Sequence, residues 1–358
     1  MAVATPDTAA VERFAERTLQ IINDGALALM ISVGHRTRLF DTMAHLPQAT
    51  SAAIAKAAQL DERYVREWLG AMVTGGIVDH DATSGTYQLP AAHAACLTRE
   101  VSPNNVAVTT QWIAVLGAVE DAVVDAFHHG EGVPYSAYHR FHSVMVEESE
   151  QTVVAGLREH ILPLADGLVS KLSSGIDVLD VACGSGRAVL TLAEAFPASR
   201  FTGIDMSAEA IAAGRGEIST RRVRNASLVV GDAAELDQRP RYDLVTAFDA
   251  IHDQARPAQV LERVHRALRP GGIFLMQDIA GRTRLADNMT NPLGPFMYTI
   301  SCMHCMSVSL SAGGPGLGAM WGREKALEML ETAGFTGVRV EVLPHDPINY
   351  YYVAVKKS

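Results

Sequence analysis

The sequence predicts an α/β protein in which a mostly parallel sheet carries helices on both faces, preceded by an α-helical winged-helix domain. Two patterns lead there. After Ser173-Ser174-Gly175, short aliphatic runs alternate with helical stretches, and such alternation builds a parallel sheet covered by its crossover helices. Before it, two helices with side-chain caps lead into a hairpin-shaped segment, the order of a winged helix.

Residues 11–43 read as helix with an interruption at Gly34. Thr50 is placed to cap a helix over 51–58, and Asp61 a second helix running to Thr74. The second helix sets Val65, Trp68, Leu69 and Met72 on one face, and Gly75-Gly76 ends it. Ile77-Val78 and Tyr87-Gln88-Leu89 flank a turn over 82–85. Residues 103–171 are helical again, broken near 130–134. Strands follow at 176–181, 200–204, 227–230, 242–248 and 272–277, with helices up to 196, from 207, and over 257–268. A helix over 323–333 and two closing strands, 338–342 and 350–355, complete the chain. We expect a winged-helix and dimerisation domain over 1–100, a helical linker and cap over 101–172, and the sheet domain over 173–358. Its long insertion, about 281–320, is expected to form a lid over substrate.

Composition bounds the function. Of 358 residues, 40 are acidic and 30 basic, a net charge of −10 that argues against a broad nucleic-acid surface. The longest apolar run, 25–34, is too short to span a bilayer. The start carries Asp7, Glu12 and Glu16 rather than a basic-then-apolar leader, so a cytoplasmic protein is expected. The four cysteines have no framework spacing and read as reduced thiols. Cys302-Met303-His304-Cys305 has no second ligand pair elsewhere, so no metal site is expected there.

The first strand of the sheet ends in Asp180 and turns through Ala182, Gly184, Ser185 and Gly186 into a helix. Ligands of such sheets bind at the carboxyl ends of strands, where glycines permit close approach and free the helix N-terminal amides. Asp180 is placed to receive an ammonium group. Asp205, ending the second strand, can accept two ribose hydroxyls, with Met206 on an adenine face. The third strand ends in Gly231-Asp232-Ala233, where a carboxylate and Ala233 meet the adenine edge, and Phe248 closes the opposite wall. A dinucleotide fingerprint fails in both registers: Gly184 and Gly186 are followed by Val189, and Ala182 and Gly184 by Arg187. No P-loop Lys-Ser/Thr is present.

Residues 178–186, together with Leu268-Arg269-Pro270-Gly271-Gly272, resemble the class I S-adenosylmethionine-dependent methyltransferases over roughly 176–280. Ala182 departs from the glycine frequent there. The whole arrangement resembles the actinobacterial winged-helix methyltransferases and the plant and antibiotic-pathway O-methyltransferases. The resemblance implies S-adenosyl-L-methionine as cofactor, a Rossmann-like sheet with an antiparallel end, and a homodimer formed through the front domain.

Methyl transfer needs a positioned nucleophile and, for a protonated one, a base. Ala250-Ile251-His252-Asp253-Gln254 is similar to the His-Asp-Trp segment of O-methyltransferases, which implies His252 as general base; Gln254 stands where tryptophan is usual. In the insertion, Met297, His304 and Trp321 are the candidate substrate contacts for a small, largely apolar acceptor. The competing reading is a DNA-binding regulator that senses a ligand through this fold. Against it, the second winged-helix helix presents Glu62, Arg63, Arg66 and Glu67, and its hairpin has Asp79 and Asp81 but no Lys or Arg.

Overall fold

The computed structural model describes residues 7–237 and 239–357, and the chain divides after Gly117 into two compact units.

In the first unit, α1 (Thr8–Arg36) runs straight through Gly34, and the break comes later, at Thr37 and the left-handed Arg38 before α2 (Leu39–Ala44). The glycine marks a close crossing. A Cβ there would stand 2.6 Å from the Trp68 ring and 2.7 Å from Phe40. Trp68 also ties its indole N–H to the Met30 carbonyl at 2.9 Å. The helices α3 (Ser51–Ala58) and α4 (Glu62–Thr74) are capped by Thr50 and Asp61, and Val65, Trp68, Leu69 and Met72 are buried. The hairpin pairs β1 (Asp79–Asp81) with β2 (Thr86–Gln88), two residues later than Ile77-Val78. The amides of Ile77 and Val78 instead turn back onto the Met72 carbonyl and close the helix end. Helices α5 (Ala91–Leu97) and α6 (Gln111–Gly117) complete the unit. The outer turns of α1 leave Val11, Phe14, Leu19 and Ile22 more than half exposed.

The second unit begins with α7 (Glu120–His129) and α8 (Phe141–Ser149), continues through π-helical turns at Glu150–Val154 and Leu157–Ile161, and reaches α9 (Leu168–Ser174). The sheet is then laid down as β3 (Asp177–Val181), α10 (Arg187–Ala195), β4 (Arg200–Asp205), α11 (Ala208–Arg221), β5 (Ala226–Val230), β6 (Tyr242–Phe248), α12 (Pro257–Ala267) and β7 (Leu268–Ile279). The insertion is largely helical: α13 (Gly294–Ile300), a π-helical turn (Ser301–Cys305) and α14 (Met306–Ser311). Then come α15 (Gly322–Thr332), β8 (Thr336–Leu343) and β9 (Asp346–Val355).

Strand order is β5-β4-β3-β6-β7-β9-β8, with β9 antiparallel to both neighbours and the rest parallel. Alternate residues of the central strands feed two cores. Val178, Leu244 and Leu275 pack on one face, and Leu179, Val245 and Phe274 on the other. Chain order reverses on either side of β3, so the carboxyl ends of β3, β4 and β6 border one crevice. Among the described residues no helix is long and apolar enough to cross a membrane.

Candidate cofactor and acceptor site

A cavity of about 910 Å³ opens at that crevice. Asp180, Ala182, Gly184, Ser185, Asp205, Met206, Ala233 and Phe248 line it. Gly186 caps α10 at φ 74°, where a Cβ would press within 2.7 Å of Leu228. The loop is tied to its neighbour strand: the Gly184 amide donates to Asp205 Oδ2 at 2.8 Å, and the Ser207 amide to Oδ1 at 2.7 Å. Both oxygens of Asp205 are thereby aimed, each with a lone pair to spare.

Asp180 is only 4% exposed and accepts from Thr246 Oγ1 at 2.6 Å. Burial pushes its carboxyl up to about 7; the Thr246 hydrogen bond works against the shift and nearby Asp205 adds to it. A buried carboxylate of this kind gains most from a cationic ligand, and it fits the ammonium of an amino-acid moiety. The donor set of the strand ends therefore suits a nucleoside joined to an amino acid. Asp232 is placed differently from Ala233: it is absent from the lining, its Oδ1 taking the Ala234 amide and its Oδ2 the Arg256 guanidinium at 2.6 Å.

Ala182 holds φ 52°, in the left-handed region that costs a residue with a Cβ. Ala182→Gly should raise the stability of this unit by about 1 kcal/mol, read as a higher unfolding midpoint. A lower midpoint would show that the Ala182 methyl packs to more effect than its backbone is strained.

A second group of lining residues brings Tyr135, Tyr138 and Phe141 together with Asp249, Ala250, Asp253 and Gln254 at the acceptor end. The Tyr135 hydroxyl donates to Asp253, and the Tyr138 hydroxyl to the Met303 carbonyl. His304 lies behind this wall, its ring stacked on Phe141 at 4.4 Å between centroids. Burial, with the His252 imidazole nearby, lowers the His304 pKa to about 3, so it is a neutral aromatic plate. Val133 and Ser307, Tyr138 and Met303, and Gln254 and Ser309 are hydrogen-bonded pairs that join the insertion to the cavity walls.

His252 is buried one layer back. Its Nδ1 donates to Asp278 Oδ1 at 2.8 Å, and that same oxygen accepts from Trp321 Nε1 at 3.0 Å and from the Ile279 amide at 2.9 Å. Asp249 Oδ1 stands 3.9 Å from the same nitrogen, and Cys305 borders the ring. Burial disfavours the charged imidazole, but Asp278 and Cys305 outweigh it and hold the His252 pKa well above its ordinary value. Trp321 thus touches Asp278 rather than the cavity, and Met297 is buried within the insertion.

Tyr135, Tyr138 and Phe141 join the cavity without any motif to mark them, as does His142, which reaches Ser207 Oγ at 3.3 Å. Asp278 was not singled out, although it nearly ends the fifth parallel strand, where the rule that exposed Asp180 and Asp205 also applies.

The Rv2258c-like winged HTH domain model matches residues 25–99, and a methyltransferase domain model matches residues 172–334. The chain thus carries a winged helix-turn-helix domain followed by a methyltransferase domain. Solved structures share the fold along nearly the whole chain. A Nostoc punctiforme protein classed as an O-methyltransferase aligns with TM-score 0.72 at 20% identity, over 99% of this chain and 100% of its own. Human N-acetylserotonin methyltransferase in complex with S-adenosylmethionine gives 0.69 at 18%, covering all of both chains. The mitomycin 7-O-methyltransferase gives 0.67 at 19%, over 97% of this chain and 99% of its own. A comparison with curated protein sequences finds no match.

Proposed function

We propose that the chain transfers a methyl group from S-adenosylmethionine to an oxygen of a small, largely apolar acceptor, with His252 as base. One observation carries this reading: strand-end carboxylates and an aromatic wall share a single cavity, with the His252–Asp278 pair behind its acceptor end. The O-methyltransferases among the structural neighbours favour oxygen as the atom methylated.

Asp180 receives the methionine ammonium, Asp205 the ribose hydroxyls, and Met206 and Phe248 flank the adenine, with Gly184, Ser185 and Gly186 allowing close approach. Asp232 acts from outside the lining by ordering the Gly231–Ala233 turn. The bound cofactor supplies a methyl group made electrophilic by its sulfonium. With Nδ1 committed to a carboxylate, Nε2 is the proton-accepting atom of His252, and Asp278 stabilises the imidazolium that results. The insertion serves as a lid, with His304 backing the wall, Trp321 fixing Asp278, and Met297 supporting α13.

The winged unit acts in pairing with a second copy. Unpacked outer turns of a 29-residue helix are marginal in water, and Val11, Phe14 and Ile22 offer them an apolar face to bury; light scattering reads the mass directly. A nucleic-acid role is disfavoured because Arg63 pairs with Glu67 and Arg66 with Glu62 on α4, beside an acidic hairpin. Retention of duplex DNA in a low-salt gel shift would restore that role.

Calorimetry with S-adenosylhomocysteine tests the cofactor assignment. Asp180 must be ionised to hold the ammonium, and its raised pKa of about 7 leaves it protonated on the acid side. Affinity should be flat at higher pH and fall by up to about tenfold per unit as the pH drops below about 7. Asp180→Asn should remove that dependence. Absence of binding at every pH would overturn the assignment.

A further inference from the structure

Two carboxylates at the acceptor end of the cavity have no task in the reading above. Asp249 and Asp253 line the acceptor end, beyond Asp180 and Asp205. Asp249 follows β6 directly and holds φ 52°, in the left-handed region that aspartate enters more readily than most residues with a Cβ. Among the described residues its Oδ1 accepts no hydrogen bond. Asp253 takes only a neutral donor, the Tyr135 hydroxyl, among the hydrogen bonds described for its side chain.

The charges around them do not balance. Asp249, Asp253 and Asp278 face one imidazole, His252, and its hydrogen bond goes to Asp278. Arg187 is the one Lys or Arg among the described lining residues, and it is paired with Glu150. Beside them stand Tyr135, Tyr138 and Phe141, with Tyr135 hydrogen-bonded to Asp253 and edge to face with Phe141 at 5.1 Å. Aromatic faces attract cations, and partly buried carboxylates attract them more strongly. An anionic acceptor would be repelled, and a purely apolar one would strip water from carboxylates while giving nothing back.

We infer that the acceptor is a planar aromatic molecule bearing a cationic amine, which Asp249 and Asp253 receive beside the Tyr135–Phe141 wall. This rests on the methyltransferase reading and narrows its acceptor class. The sulfonium is the other cation these carboxylates could serve, so the test is made on protein saturated with S-adenosylhomocysteine, which lacks that charge.

Three para-substituted phenols with a cationic, a neutral and an anionic side chain are compared by calorimetry on the full chain: tyramine, 4-propylphenol and 4-hydroxyphenylacetate. Tyramine should bind about tenfold or more tighter than 4-propylphenol, with the acid weakest. Asp249→Asn, tolerated because asparagine accepts the left-handed region, and Asp253→Asn should each shrink the tyramine preference severalfold. Equal binding of the three probes, tighter binding of the acid, or a preference unchanged in both variants would overturn the inference. The wild-type series stands by itself should a variant fold poorly. If S-adenosylhomocysteine binds but tyramine shows no preference, only this inference falls; if S-adenosylhomocysteine does not bind, the methyltransferase reading falls with it.

Discussion

His252→Ala is expected to lower the rate of methyl transfer by about 10²–10⁴ while leaving affinity for S-adenosylhomocysteine within about threefold. The imidazole lies behind the acceptor end and touches none of the strand-end carboxylates assigned to the cofactor, so chemistry and cofactor binding should separate. The wild-type pH profile carries a second signature. A base works when unprotonated, and Asp278 holds this imidazole's pKa well above the ordinary range. The rising limb of kcat/KM should therefore lie on the alkaline side of an ordinary histidine, and activity should be lost as the pH falls through it. Asp278→Asn leaves burial unopposed by that charge and should move the limb toward acid. An alanine variant that turns over at the wild-type rate would leave His252 a packing residue.

Asp278→Ala should be the most damaging single substitution to stability, costing about 3–5 kcal/mol. The carboxylate is fully buried, and one oxygen serves His252, Trp321 and the Ile279 amide together. Removing it strands an imidazole and an indole N–H in a dry interior. Asp278→Asn keeps an acceptor and should lose less. The pH dependence has a definite sign: the folded-state pKa of His252 is raised, so the pair's contribution is complete below the unfolded histidine value. It is lost as the pH rises through the folded one. Unfolding midpoints measured across that range should fall in the wild type and stay flatter in the variant. A midpoint unchanged by Asp278→Ala would mean that the pair contributes nothing.

Much of the scaffold was legible in the sequence because it is local. Thr50 and Asp61 cap the helices they precede, and the strand-end rule picked out Asp180 and Asp205 from their place before a turn. Gly34 misled because a glycine in a helix reads as a stop, whereas its reason is the Trp68 ring 34 residues on. The acceptor end was hidden for the same cause at longer range. Tyr135 meets Asp253 across 118 positions, and Tyr138 meets Met303 across 165. Neither periodicity nor spacing reports such pairs. Asp249 stands at a strand end as Asp180 and Asp205 do, but its left-handed backbone leaves no mark in composition.

The π-helical turn Ser301–Cys305 has a consequence for how such an enzyme changes its acceptor. A π turn holds about one residue more than an α turn, so deletion of a single residue lets the helix regularise without breaking it. The residues beyond then stay nearly in place, because the π turn had absorbed the extra one, and the change is confined to the turn itself. His304 would leave the face of Phe141, and Cys305 would leave His252, while the sheet and the cofactor loop stayed as they are. Length variation of one residue, rather than substitution, is thus a short evolutionary step by which one ancestral scaffold acquires a different clientele.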